Sequence, residues 1–116
     1  MYVFGGYVTG DKANDLWSYS LTEGTWTCLN KGDYRQNHQD PNKIPAPRVG
    51  AKMVQLNSTT LLLHNGHDND NEKIEDTWQF DLNTKEWTMV DQDGDVPPVS
   101  YHEDKFMFYY FCSFFP

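Results

Sequence analysis

Asn14-Asp15-Leu16-Trp17-Ser18-Tyr19-Ser20-Leu21 returns later in the chain as Glu75-Asp76-Thr77-Trp78-Gln79-Phe80-Asp81-Leu82. In both copies an aspartate stands two residues before a tryptophan, and an aromatic residue stands two positions after it. A second tryptophan, Trp26 or Trp87, follows nine residues after the first. Self-similarity at a fixed spacing is typical of proteins built from structural repeats. The sequence therefore predicts two copies of one structural unit.

A short apolar run that ends in glycine precedes each pair of tryptophans. The runs are Tyr2-Val3-Phe4-Gly5-Gly6 and Leu61-Leu62-Leu63-His64-Asn65-Gly66, and such runs read as β-strands. In the second copy the pattern predicts four strands, over about 49–56, 60–65, 76–81 and 86–90, with tight turns between the first two and between the last two. The fold is therefore predicted to be all-β, built from four-stranded antiparallel units.

The repeated unit resembles the kelch repeat, in which roughly fifty residues form one four-stranded blade of a β-propeller. Besides the tryptophan pairs, the resemblance rests on Phe4-Gly5-Gly6, Asn14-Asp15-Leu16-Trp17-Ser18-Tyr19 and Pro45-Ala46-Pro47-Arg48-Val49-Gly50, and it covers about residues 1–104. The second copy departs from the family pattern where Asn65 replaces the first glycine. We expect Asn65 to adopt that glycine's positive φ, which asparagine tolerates better than most residues.

The resemblance implies a partial propeller. It divides the chain into a first repeat over 1–30 that lacks its first strand, an inter-blade loop over 31–44, a second repeat over 45–91, and a degenerate start of a third repeat over 96–116. Propellers typically close with four to eight blades, so two cannot form a ring. The chain is then a fragment of a larger ring, or several chains assemble to complete one.

The third repeat is incomplete in two respects. The proline-rich segment that begins it has Val99 where the family has arginine. This segment is Pro97-Pro98-Val99-Ser100-Tyr101-His102. Seven of the eleven residues from Phe106 to Pro116 are Phe or Tyr. Such an aromatic tail indicates either an added strand or an abnormal C-terminus of a truncated product.

Most of the marked residues are expected to be structural. In the kelch pattern the tryptophans pack between neighbouring blades, and the aspartate before each first tryptophan is expected to bond nearby backbone amides. Gly5-Gly6 lacks the helix and the lysine of a phosphate-binding loop. The structural motif is predicted to comprise Gly5, Gly6, Asp15, Trp17, Tyr19, Trp26, Arg48, Gly50, Gly66, Asp76, Trp78 and Trp87.

The stretch from His64 to Glu72 is the best candidate for a metal site, because imidazole and oxygen ligands crowd into it. Counted from Asp68, however, Lys73 stands where a calcium-binding loop needs glycine. We interpret the segment as an acidic, flexible loop. No metal, no cofactor and no catalytic residue is predicted.

The formal net charge of −8 disfavours nucleic acid and anionic membranes as partners and favours a basic protein surface. Cys28 and Cys112 have no paired spacing, which indicates reduced thiols. Asn57-Ser58-Thr59 has the form of a glycosylation acceptor, but turn chemistry favours a hairpin there. With no signal-peptide pattern at Met1, a cytoplasmic location is predicted.

Function is expected in the loops, where rigid sheets present variable connections. In the kelch family one face of the propeller carries the loops that correspond here to 7–13, 30–44, 67–73 and 91–96. The longest, 30–44, holds Tyr34, Arg35 and His38, a mixture suited to protein contact; a plain solvated insertion is the alternative. The sequence predicts a non-catalytic protein-interaction scaffold or adaptor. The alternatives are a fragment of a kelch-propeller enzyme of the oxidase or isomerase type, or a non-functional truncated product.

Overall fold

The computed structural model describes residues 1–91, which form two antiparallel sheets. The first sheet has the order β1 (Tyr2–Val8), β2 (Asp11–Ser20) and β3 (Thr25–Asn30). The second has the order β4 (Lys52–Asn57), β5 (Thr60–His64), β6 (Thr77–Asp81) and β7 (Glu86–Val90). Neither sheet is closed, so the predicted all-β, partial-propeller architecture is confirmed. The predicted third repeat over 96–116 lies outside the described residues, with Val99, Cys112 and the aromatic tail.

The strand predictions for the second repeat agree with the structure to within a few residues, and β7 has the predicted bounds. The predicted loop over 7–13 is wrong, because β1 continues to Val8 and β2 already begins at Asp11. The connection is a two-residue turn in which Thr9 and Gly10 have φ angles of 46° and 91°. Two consecutive positive φ angles match the twist of the flanking strands, which allows a tight hairpin here.

The hydrophobic core lies between the two sheets. The second sheet contributes its buried face, and the first sheet contributes Leu16, with Tyr2, Phe4 and Leu29 packed against the cluster. Phe4 meets Trp87 edge to face, with ring centroids 5.4 Å apart. The buried face of the second sheet consists of Leu61, Leu63, Trp78, Phe80 and Trp87.

The opposite face of the first sheet carries Trp17, Tyr19 and Trp26, here called the aromatic face. Trp17 pairs with Val3 and Cys28, and Tyr19 pairs with Trp26. This is the pairing by which Trp78 meets Leu63 and Met89, and Phe80 meets Trp87, in the second sheet. The two faces are therefore equivalent in register, but their surroundings differ. Trp87 is 7% exposed beneath the first sheet, whereas Trp26 is 51% exposed because no other described residues form a sheet against it.

Asn65 adopts the conformation predicted from its place in the repeat. Its φ of 63° equals that of Gly5, and the glycines that follow, Gly6 and Gly66, have φ angles of 104° and 122°. A Cβ on Gly5 would lie 2.7 Å from the carbonyl oxygens of both Ala13 and Arg48. The first sheet therefore requires glycine at this position for close approach as well as for its φ angle.

Candidate functional site

Arg48 joins the two sheets from a fully buried position. Its main chain binds the first sheet: the amide donates to the Ala13 carbonyl at 3.1 Å, and the carbonyl accepts from the Gly6 amide at 3.2 Å. Its side chain enters the second sheet, where Nη1 and Nη2 donate to the two carboxylate oxygens of Asp76 at 2.5 and 3.0 Å. Nη1 also donates to the Asn65 carbonyl at 3.0 Å. Such a bidentate pair fixes both distance and orientation.

Asp76 also accepts a hydrogen bond from the indole Nε1 of Trp78 at 2.8 Å. Burial by itself raises the pKa of Asp76, but the hydrogen bonds and the charge of Arg48, together with the indole bond, outweigh burial and hold the pKa below 3.8. The ion pair is therefore well satisfied, and removing Asp76 would leave the fully buried charge of Arg48 without its counter-ion. The structure thus brings Arg48, Asp76 and Trp78, three residues of the predicted structural motif, into one hydrogen-bonded group.

Asp15 occupies the equivalent place in the first sheet and also binds its own tryptophan, since Trp17 Nε1 donates to Asp15 Oδ2 at 2.8 Å. The expectation that both aspartates bond backbone amides missed these indole bonds. The spacing was a usable signal, because residues i and i+2 of a strand lie on one face. Within residues 1–91, no cation forms an ion pair with Asp15.

The long connection between the sheets is organised around the buried side chain of Asn14. Its Oδ1 accepts from the amides of Asp33 and Tyr34 at 2.9 and 3.0 Å. Its Nδ2 donates to Asp33 Oδ1 at 2.6 Å and to the Pro45 carbonyl at 3.0 Å. One side chain of β2 thus ties both ends of the connection to the first sheet, so the connection is more than a plain solvated insertion.

Asp33 extends this network into the loop. His38 Nδ1 donates to Asp33 Oδ1 at 2.8 Å, and the Asp40 amide donates to Oδ2 at 3.1 Å. Burial raises the pKa of Asp33, but the bonds from His38, Asn14 and Asp40 outweigh it and lower the pKa below 3.8. Asp33 is therefore stabilised as a carboxylate that accepts hydrogen bonds from the loop, and His38 faces inward toward it.

The other two predicted partner-binding residues lie in a short 3-10 helix, Tyr34–Gln36. Arg35 is exposed, its Nε donates to the Tyr34 hydroxyl at 3.0 Å, and its guanidinium carbon lies 5.4 Å from the centroid of that ring. Beneath them is an open cavity of about 240 Å³, here called the strand–turn cavity, whose lining includes Asp15, Trp17, Cys28, Tyr34, Arg35 and Gln36. The structure thus brings Tyr34 and Arg35 together with Asp15 and Trp17, but it does not place His38 in the lining.

The acidic segment that the sequence offered as a metal candidate is held by Lys12, a residue that sequence reasoning did not single out. The buried Lys12 donates from Nζ to the Asp68 carbonyl and to Asn71 Oδ1, the latter at 3.0 Å. Its amide donates to Asn69 Oδ1 at 2.9 Å. An ammonium group from the first sheet thus binds the segment that was predicted to be a flexible loop. Over residues 1–91, no three His, Cys, Asp or Glu side chains are grouped so as to hold a metal ion.

The same described residues include no helix with the length and apolarity needed to cross a bilayer.

Comparisons with known proteins match the architecture. A family model described as the KLHDC2/KLHL20/DRC7 Kelch-repeats domain matches residues 1–108. The "Negative regulator of sporulation MDS3" of Candida albicans is 27% identical over 105 residues, covering 75% of this chain and 7% of that protein. The "Leucine-zipper-like transcriptional regulator 1 homolog" of Drosophila melanogaster is 29% identical over 108 residues, covering 85% of this chain and 10% of that protein. The chain thus spans no more than a tenth of the length of either relative.

Proposed function

This chain belongs to the kelch-repeat family, and from that premise we propose that it is a non-catalytic protein-interaction module that binds through the connection over 30–44. Kelch repeats commonly mediate protein interaction. The relatives that it matches are named as regulators, and neither name describes an enzyme. The alternatives of a propeller oxidase or isomerase gain no support from these names.

The observation that carries the proposal is the hydrogen bonding that positions Tyr34 and Arg35. On the buried side, the Tyr34 amide donates a hydrogen bond to Asn14 Oδ1. The Tyr34 hydroxyl in turn accepts a hydrogen bond from Arg35 Nε. Tyrosine and arginine are enriched among the residues that dominate binding energy at protein interfaces. A loop whose conformation is already set loses less conformational entropy on binding, which favours affinity.

Electrostatics supports a basic partner. The net charge of −8 creates a negative field that would accelerate association with a positively charged surface. A cytoplasmic setting and the assembly of several copies into a closed ring are further proposals. The exposed aromatic face supports the second of these, because exposed apolar patches mark interaction sites.

Site-specific photocrosslinking tests the proposed surface. A benzophenone amino acid replaces Tyr34 in the full chain, and in a matched control it replaces Thr84, an exposed residue of the β6–β7 turn. In the cells that produce the protein we expect a discrete adduct from position 34 and none from position 84. Equal labelling at both positions would contradict the assignment of the loop.

Purified binding then measures the contribution of the loop. With the partner identified by crosslinking, the variants Tyr34→Ala and Arg35→Ala are each expected to weaken binding at least roughly tenfold, as for interface residues that contribute more than about 1.4 kcal/mol. Unchanged affinity in both variants would remove these side chains from the interface.

A further inference from the structure

Asn65 is followed directly by Gly66, and both residues are buried in the second repeat. Asparagine loses its side-chain amide most readily before glycine, because glycine has no side chain to hinder attack by its own amide nitrogen. No other asparagine of this chain precedes a glycine. The first repeat has Gly5 at the equivalent position, with the same φ of 63°. The reactive dipeptide is therefore a feature of the second repeat alone.

We propose that Asn65 is a modification site that is converted to aspartate or isoaspartate when the second repeat opens around Arg48 and Asp76. The reaction is intramolecular and consumes one molecule of water. The Gly66 amide nitrogen attacks Asn65 Cγ, the bond between Cγ and Nδ2 breaks, and ammonia leaves with the proton of the Gly66 nitrogen. Water then adds to either carbonyl of the resulting succinimide, and the ring opens to aspartate or isoaspartate.

The folded structure restrains the main chain on both sides of Asn65. The Asn65 amide donates to the Asp76 carbonyl at 3.1 Å, and the Asn65 carbonyl accepts from Arg48 Nη1 at 3.0 Å. The second bond fixes the peptide plane that also contains the attacking nitrogen of Gly66. Closing the five-membered ring requires freedom of rotation about the bond between Cα and the carbonyl carbon of Asn65. Such rotation breaks the bond to Arg48, so the folded site resists the reaction.

The surroundings of Gly66 restrain the same dipeptide. The Ile74 amide donates to the Gly66 carbonyl at 2.9 Å. A Cβ on Gly66 would lie 3.0 Å from the Val49 carbonyl oxygen and 3.1 Å from Arg48 Cδ, so the main chain is closely packed here. Asn65 is 1% exposed, which also limits the access of water to a succinimide. We therefore expect the reaction to proceed from a locally opened state.

The products do not fit the folded site. Aspartate would bring a carboxylate into this buried position, while the guanidinium of Arg48 already binds both carboxylate oxygens of Asp76. A buried charge without a partner of its own is strongly destabilising. Isoaspartate would add a carbon to the main chain between two residues that share a tight conformation, with φ angles of 63° and 122°. The modification would therefore leave a lasting record that the repeat had opened.

The test is deamidation of the full chain at mildly alkaline pH, with and without guanidinium chloride, followed by peptide mapping with mass spectrometry. A synthetic peptide with the sequence of residues 63–72 gives the unrestrained rate. In denaturant we expect Asn65 of the chain to deamidate at the rate of the peptide. In buffer it should deamidate at least about tenfold more slowly, because the rate then follows the population of the opened state.

Two variants test whether the group around Arg48 controls the opening. Asp76→Asn removes the carboxylate that binds Arg48, so Asn65 should deamidate at least about tenfold faster in buffer than in the unaltered chain. Asp70→Asn, on an exposed turn, is the matched control and should leave the rate at Asn65 unchanged. In denaturant both variants should match the unaltered chain, because the opening is then complete.

A second pair of variants tests the effect of the product on the fold. Asn65→Asp has the side chain of one product, and Asn65→Gly has the glycine that Gly5 provides in the first repeat. We expect Asn65→Asp to unfold at a lower urea midpoint than both Asn65→Gly and the unaltered chain. Equal midpoints for the two variants would show that the folded site accepts the new carboxylate.

Three results would overturn the modification site. They are deamidation of the folded chain at the rate of the peptide, absence of deamidation at Asn65 in denaturant, and an Asp76→Asn chain that stays folded and reacts no faster than the unaltered chain. If Asp76→Asn does not fold, the comparison of the unaltered chain with and without denaturant decides. None of these outcomes depends on crosslinking from position 34, so the proposed protein-interaction function is tested separately.

Discussion

Phe4 of β1 and Trp87 of β7 meet edge to face across the two sheets, with ring planes at 80° and centroids 5.4 Å apart. Phe80, the cross-strand neighbour of Trp87, also packs against it, with centroids 4.8 Å apart. Trp26 has the corresponding neighbour in Tyr19, also at 4.8 Å, but within residues 1–91 no third ring covers it. The Phe4–Trp87 contact is therefore one of the contacts in the core that depend on both repeats.

Replacing Phe4 with alanine should destabilise the packing of the two sheets. We expect a loss of about 3 kcal/mol in the free energy of unfolding, since truncating a core aromatic removes both buried surface and packing. Urea unfolding followed by tryptophan fluorescence measures it. Leu56→Ala, at a residue that is 55% exposed, is the control and should change little. Equal effects of the two substitutions would show that the sheets do not depend on this contact.

Stability should fall in acid because of Asp76. Its pKa is below 3.8 in the folded protein, so the carboxylate form stabilises the fold fully above about pH 4, and that contribution is lost as the pH falls through the folded pKa. Asp76→Asn should be less stable than the unaltered chain at pH 7 and should lose less stability between about pH 5 and pH 2. Urea midpoints across this range test it, with Asp70→Asn on an exposed turn as control. A variant as acid-sensitive as the unaltered chain would contradict the role of Asp76.

Asp33 should also make the free energy of unfolding fall as the pH is lowered, because its pKa in the folded protein is lowered as well. The groups that hydrogen-bond to Asp33 differ from those that hydrogen-bond to Asp76, so the effects of the two Asn variants on the pH slope should add. The double variant Asp33→Asn/Asp76→Asn is expected to show the flattest profile of urea midpoint against pH. A double variant no flatter than Asp76→Asn alone would exclude Asp33 from the acid response.

Alanine should be tolerated far less at Gly5 than at Gly10. Both residues have positive φ angles, 63° and 91°, which cost an L-residue about 1 to 2 kcal/mol. At Gly5 the added Cβ would also collide with two carbonyl oxygens, whereas at Gly10 nothing lies within 4 Å. Thermal unfolding of Gly5→Ala and Gly10→Ala should separate the two effects. Equal losses would mean that the backbone moves to accommodate the Cβ.

Lys12 should control the mobility of the segment over 68–72. Lys12→Met keeps the aliphatic stem but removes the ammonium group that binds the Asp68 carbonyl and Asn71 Oδ1. Amide hydrogen exchange in 68–72 is therefore expected to accelerate at least about tenfold. Lys43→Met, at an exposed position, is the control. Unchanged exchange in the Lys12 variant would show that Asp68 and its own turn suffice to order the segment.

Local patterns allowed much of the fold to be predicted from the sequence. The turn between β6 and β7 and the bounds of β7 depend on residue types that act over a few positions. The positive φ of Asn65 could be predicted because the repeat aligns it with Gly5. The hairpin at Thr9-Gly10 was missed because Thr rarely adopts the positive φ that this turn requires.

The candidate site was only partly predictable. Tyr34 and Arg35 could be chosen by composition, but the cavity beneath them depends on the packing of the 3-10 helix against β2 and β3. Nothing in the sequence indicated that His38 would face Asp33, since the same spacing occurs in solvated loops. The roles of Asn14 and Lys12 have no local signal, because their partners lie 19 to 59 residues away along the chain.

The sequence by itself determined that this chain repeats a four-stranded kelch unit, because strand periodicity, turn residues and glycine positions are local properties of the backbone. Only the tertiary structure decided that Arg48 bridges the sheets, that Lys12 fastens the acidic segment, and that Asp15 borders a cavity. These outcomes depend on which buried polar groups meet when the two sheets pack. Burial makes such pairing obligatory, but the sequence does not state which partners will be close.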